Sequence, residues 1–102
     1  MILNVVDKHT FDQSDYQCVF SNKNTDRRYA LVTEESNSFK FAWRSDKVSV
    51  NFLMIKSHTY AVGMDENFAI IDFKTDEIVL YKHLDFIFHE FKLVNDSLLI
   101  AG

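Results

Sequence analysis

Four histidines, one cysteine and a scatter of carboxylates are the groups in this chain whose types could do chemistry. Imidazole is the side chain most often used for acid–base work and metal binding near neutral pH. His83 and His89, with Asp85 between them, make a ligand set only on a suitably folded segment, and on a strand the two histidines share parity. His89 keeps step with Ile87, Phe91 and Leu93, so a hydrogen-bonded core histidine is the plainer account of it. Cys18 alternates with Tyr16 and Phe20 and has no basic neighbour in sequence to activate a thiolate, so it reads as a small buried hydrophobe. Asp72 lies inside the apolar run from Phe68 to Phe73 and reads as a structural acid satisfying a nearby turn, since catalytic use needs a second, placed acid. There is no G-x-S-x-G elbow, glycine-rich phosphate loop, H-E-x-x-H or paired-cysteine zinc spacing. No catalytic set, no metal site and no cofactor is assigned, and the chain is not expected to be an enzyme.

Charge narrows the partners. The 102 residues carry 15 acidic and 11 basic side chains, a formal charge of −4, and the only adjacent basic pair outside isolated lysines is Arg27-Arg28. A surface that tracks nucleic-acid phosphates needs more than that, so nucleic acid is not an expected partner. The first residues, M-I-L-N-V-V-D-K-H, lack a basic start followed by a long apolar segment, and no apolar run approaches the roughly 18 residues of a membrane span. A lone cysteine excludes an internal disulfide and fits a reducing compartment. The expectation is a cytoplasmic protein with no membrane partner.

The elements that must position these groups are short and alternating. Thr59–Lys82 holds three apolar runs, Tyr60–Val62, Phe68–Phe73 and Ile78–Tyr81, split by the polar turns Asp65-Glu66-Asn67 and Thr75-Asp76-Glu77, which is the pattern of an antiparallel meander. Upstream, Ile2–Val6, Tyr16–Phe20, Arg28–Thr33, Ser38–Arg44 and Val48–Lys56 read as strands, with Phe39, Phe41 and Trp43 on one face. Asp7–Asp15 reads as a polar, turn-prone link. Downstream, Asp85–Leu93 fits a strand, though Leu84, Ile87, Phe88 and Phe91 also have helical spacing, and Ser97–Ala101 closes the set. With no proline and two glycines, the turns rely on Asp, Asn and Ser. At least eight antiparallel strands and at most one short helix are expected. Tyr29, Leu31, Phe41, Trp43, Phe52, Met54, Ile70, Ile71, Val79 and Phe91 are expected to be mostly buried.

The chain also echoes itself. Tyr29–Val50 runs parallel to Tyr60–Leu80 with a one-residue gap, so that Trp43-Arg44-Ser45-Asp46-Lys47-Val48 matches Phe73-Lys74-Thr75-Asp76-Glu77-Ile78. Phe52–Ser57 similarly echoes Phe91–Asp96. This pattern of strand, acidic turn, strand and second turn resembles the blades of a β-propeller, whose repeats recur every 40 or so residues. The resemblance implies an all-β fold in a single domain over 1–102. The chain is too short for a closed ring, which leaves two blade-like antiparallel sheets packed face to face, as a half-propeller or β-sandwich.

On that reading Glu34, Glu35, Asp65, Glu66 and Asp85 gather at one end of the molecule. The other end carries Arg44, Lys47, Lys56 and Lys74 beside Asp46, Asp76 and Asp96. A wholly acidic end is suited to steering and docking a basic protein. In size, acidity and lack of catalytic motifs the chain is similar to small bacterial immunity proteins, and the resemblance implies a protein-binding inhibitor whose partner is a basic, nuclease-type toxin domain. Two other classes stay open: a small-molecule-binding or hydrolytic protein with a pocket built from His58, His83, His89 and Asp72, and an interaction module from a larger propeller.

Overall fold

A computed structural model describes residues 1–22, 24, 26–44, 51–84, 90–94 and 97–101. In chain order the elements are β1 (Ile2–Val6), α1 (Lys8–Gln13), β2 (Gln17–Phe20), β3 (Arg28–Glu34), β4 (Asn37–Trp43), β5 (Asn51–Lys56), β6 (Thr59–Met64), β7 (Asn67–Asp72), β8 (Glu77–His83), β9 (Glu90–Val94) and β10 (Ser97–Ala101). The fold is all-β with two four-stranded sheets, ordered β1-β3-β4-β2 and β5-β6-β7-β8, while β9 and β10 pair with each other. The second sheet is an antiparallel meander throughout, as the alternation of Thr59–Lys82 predicts. No helix among the described residues is long and apolar enough to cross a membrane.

The first sheet departs from the expected pattern. β2 runs parallel to β4, and the segment expected as a polar link contains the helix α1. The two differences have one cause. β1 lies at one edge and β2 at the other, so the intervening chain must cross the sheet and return in the same direction, which a short hairpin cannot do. The crossing helix is pinned rather than self-sufficient. The Asp7 carboxylate caps its start by accepting from the Thr10 N–H at 2.8 Å. The Lys40 ammonium, projecting from β4, donates to the carbonyls of Phe11 and Ser14 at 2.9 Å each and lies 4.5 Å from the centre of the Phe11 ring. Phe11 in turn packs on Tyr29. Six residues cannot hold a helix unaided, so its local pattern was too weak to read.

Between the sheets, Val32, Phe39 and Phe41 from the first meet Val62, Ile71 and Phe73 from the second, all of them fully buried. Aromatic rings carry the junction: Phe39 stands edge-on to Phe73 at 5.1 Å and Phe41 edge-on to Phe52 at 5.7 Å. Phe39 over Phe73 sets β4 above the end of β7, and a Tyr60 hydroxyl bonded to Glu34 sets the end of β3 above the start of β6. At that end the Met1 amino group, at the start of β1, also lies 3.5 Å from Glu34 and so beside the β5–β6 turn, while further along Phe41 of β4 reaches Phe52 of β5.

Of the residues expected inside, Phe41, Trp43 and Ile71 are buried and Tyr29, Leu31, Phe52 and Ile70 are half-buried. Met54 and Val79 are 56% and 57% exposed, contrary to expectation, because each sits on an edge strand, Val79 at a break in register between Ile70 and Ile71. The Phe91 side chain lies outside the described residues.

The hairpins β3–β4 and β6–β7 share one layout. The last pairs are Glu34–Asn37 and Met64–Asn67, and the residues that follow Glu34 and Met64 have φ of 55° at Glu35 and 51° at Asp65. Matched turn for turn, Ala30, Val32, Phe41 and Trp43 correspond to Tyr60, Val62, Ile71 and Phe73, all facing the core. The gap in the sequence alignment is not needed, and Tyr60 has Ala30, not Tyr29, as its counterpart.

Candidate functional site

The five acids singled out from sequence do not form one end. Glu34 and Glu35 belong to the β3–β4 turn, and Asp65 and Glu66 to the β6–β7 turn. Glu34 bonds Tyr60, near the start of β6, whereas Asp65 bonds Arg44, just past the end of β4. Six residue steps of β4 separate those ends, about 20 Å of extended chain. Asp85 lies outside the described residues, as do Asp46, Lys47 and Asp96. Arg44 was expected at the opposite end from Asp65 and Glu66, but it is their direct partner. The expectation fails because the β3–β4 and β6–β7 turns lie at opposite ends of the sandwich, the first tied to the start of β6 and the second to the end of β4.

At the first end Glu34 is nearly enclosed, its side chain 15% exposed. It accepts from the Tyr60 hydroxyl at 3.0 Å and from the Nδ1–H of His58 at 3.1 Å, and the Met1 amino group lies 3.5 Å away. Burial pushes this carboxyl up, but the two hydrogen bonds and the nearby positive charge outweigh it, so Glu34 titrates below the usual glutamate range. The same contact, with burial leading, holds the Tyr60 phenol above its usual value. Glu35 is 73% exposed, 3.9 Å from the other ring nitrogen of His58. Beside it the Asn37 side-chain amide donates to the Phe73 carbonyl. This end is a structural tie between sheets, and Glu34 is withdrawn from any external partner.

At the second end a cleft of about 320 Å³ opens between the loop after β2 and the β7–β8 side of the second sheet. Asp26, Arg44, Asp65, Glu66, Tyr81 and His83 line it with Ser21, Asn22 and Asn67. Arg44 bridges into it, its backbone N–H donating to Asp65 at 2.8 Å and its guanidinium to Glu66 at 2.8 Å. That guanidinium holds the Glu66 carboxyl below its ordinary range. Asp26 accepts from Ser21 and from the Asn22 N–H, and Tyr81 donates to Asn67 at 2.6 Å. Among the described residues that line it, the cleft thus carries the carboxylates of Asp26, Asp65 and Glu66 and the guanidinium of Arg44, which is bonded to Glu66. Asp26, Asn67 and Tyr81 were missed from sequence, where Ser21–Asp26 gave only a loop signal.

The alternative His/Asp pocket does not assemble. His83 pairs with Asn67 at one end of β7, while Asp72 pairs with Glu77 at the other. His58 sits in the β5–β6 turn and His89 lies outside the described residues. Asp72 does serve its turn, accepting from the N–H groups of Lys74 and Thr75 at 2.8 and 3.4 Å. Cys18 is exposed rather than buried, because a register break between Cys18 and Phe20 turns Val19 and Phe20 inward instead. Among the described residues no group of three or more His, Cys, Asp or Glu side chains could hold a metal ion. No protein family, curated protein or solved structure matches this chain.

Proposed function

We propose that this protein is a small acidic protein-binding inhibitor that docks a basic partner, of the kind an immunity protein forms with a nuclease-type toxin domain. The observation that carries the reading is the cleft beside the β6–β7 turn, where, among the described residues that line it, Asp26, Asp65 and Glu66 outnumber Arg44. Its excess of carboxylate oxygens suits a lysine or arginine side chain from a partner, because a guanidinium presents five donors to a carboxylate fork. A net charge of −4 adds long-range attraction for a basic surface. The partner-binding residues are therefore Asp65 and Glu66, joined by Asp26, while Glu35 stands at the far end as a rim charge. A cytoplasmic setting belongs to the same reading.

Affinity capture followed by mass spectrometry identifies a partner, whose binding is then measured with purified components at low and moderate salt. The reading expects a basic partner, association that slows as salt rises, and an affinity loss of about tenfold or more for Asp65→Asn with Glu66→Gln, with Glu35→Gln nearly neutral. A partner without a basic surface, or an affinity indifferent to salt and to both cleft substitutions, overturns it.

A further inference from the structure

Glu34 makes contacts that no partner surface needs and that join parts of the chain far apart in sequence. It projects from the end of β3, and its two hydrogen-bonding partners, His58 and Tyr60, both belong to the β5–β6 hairpin of the other sheet. The charged and titratable groups around it are the Met1 amino group from the start of β1, His58 and Tyr60 from the facing hairpin, and Glu35 from its own turn, which approaches the far side of the imidazole. We propose that Glu34 is an acid-released latch between the two sheets, closed while its carboxylate accepts from Tyr60 and His58 and open once that carboxylate is protonated.

The surroundings make opening more than the loss of one bond. Glu35 and His58, which flank the latch from its two sides, hold φ of 55° and 66°. Asp65, in the matching turn of the other hairpin, has φ of 51°, so these angles belong to the tight turns themselves and the latch joins two turns that are already closed. Beneath the latch the Tyr60 ring stands edge-on to Phe73 at 5.6 Å. Beside it the sandwich is already open: Leu3 and Val5 of β1 and Met54 of β5 occupy positions in register with buried neighbours, yet are 37%, 59% and 56% exposed. Release at Glu34 widens an apolar seam along the β1 and β5 side, while the uncharged Asn37–Phe73 bond limits it to that corner. The direction with pH follows from linkage. The folded carboxyl titrates below its unfolded value, so the closed state is fully stabilised above the ordinary glutamate range and is lost as pH falls through the lower folded value.

The test is hydrogen exchange of the amides at residues 35–37 and 57–59 as pH is lowered from about 6 to about 3.5, corrected for the intrinsic dependence of exchange, together with binding of an apolar fluorescent dye. In the unmodified protein the open population of these amides should rise several-fold, up to the roughly sevenfold that one carboxyl with an ordinary value of about 4.3 allows at about pH 3.5, ahead of global unfolding and with dye uptake. Glu34→Gln should open the same amides already at the upper pH and flatten their response. Tyr60→Phe, which removes one arm and keeps the ring, should move the response to higher pH. Glu66→Gln, at the other end, should leave it in place. The same pH response in Glu34→Gln and Tyr60→Phe as in the unmodified protein, or loss of these amides only with the whole fold, overturns the latch.

Discussion

Replacing Phe41 with leucine tests the face-to-face packing directly. Phe41 is fully buried and its ring joins three strands, lying 5.2 Å from Phe20 of β2 and 5.7 Å from Phe52 of β5. Leucine keeps an apolar side chain but removes both ring pairs, worth about 0.5–1.5 kcal/mol each. The lost carbons and the space they leave add about 1 kcal/mol more, because a close-packed interior collapses only in part. The sum is about 2–4 kcal/mol, a large share of the roughly 5–15 kcal/mol that holds a domain of this size together. Urea unfolding should show that loss as a lower midpoint with unchanged slope, and the melting temperature should fall by about 10–25 °C. Val79→Ala, on the exposed edge strand β8, is the comparison and should change stability by no more than about 0.5 kcal/mol. A Phe41→Leu cost under about 1 kcal/mol, or one equal to that of Val79→Ala, would refute the claim that the sheets meet through this ring cluster.

Three further outcomes are expected. Lys40→Met should cost about 1–2 kcal/mol and release α1, seen as faster amide exchange at Phe11 and Ser14, since the ammonium bonds two helix-end carbonyls and covers the Phe11 ring. Cys18 should react with a thiol reagent in the native protein, though more slowly than a free cysteine because partial burial pushes its thiol up and thins the thiolate, and protection until unfolding would contradict its exposure. Stability should rise with pH across the window below the ordinary glutamate range, because the Arg44 guanidinium lowers the folded Glu66 carboxyl; Glu66→Gln should flatten part of that slope in denaturation curves taken at several pH values.

The strands were legible because a half-buried strand writes itself into sequence with a period of two. Phe39, Phe41 and Trp43 could be put on one face, and the meander from Thr59 bounded by its turns, without any knowledge of what they touch. Asp72 was legible for the same local reason, since its hydrogen bonds reach only two and three residues ahead. Scarcity of glycine pointed to Asp, Asn and Ser for the turns, and Asp65 and Asp76 do take positive φ angles there, but so do Glu35 and His58, which that reading does not name.

What sequence could not settle depends on partners distant in the chain. The helix at Lys8–Gln13 is held from Lys40, and β2 runs parallel because the helix carries the chain across to the far edge. A register break of one residue reversed the burial of Cys18 and Val19, which no alternation count detects. The acids illustrate the same division most plainly. Their number and their place in turns were determined by the sequence alone, as local chemistry. Whether Glu34 meets solvent or Tyr60, and whether Arg44 faces Glu66 or stands apart from it, was decided only when β3 came to lie over β6 and β4 over β7, because a side chain's charge is local while its surroundings are set by how the sheets pack.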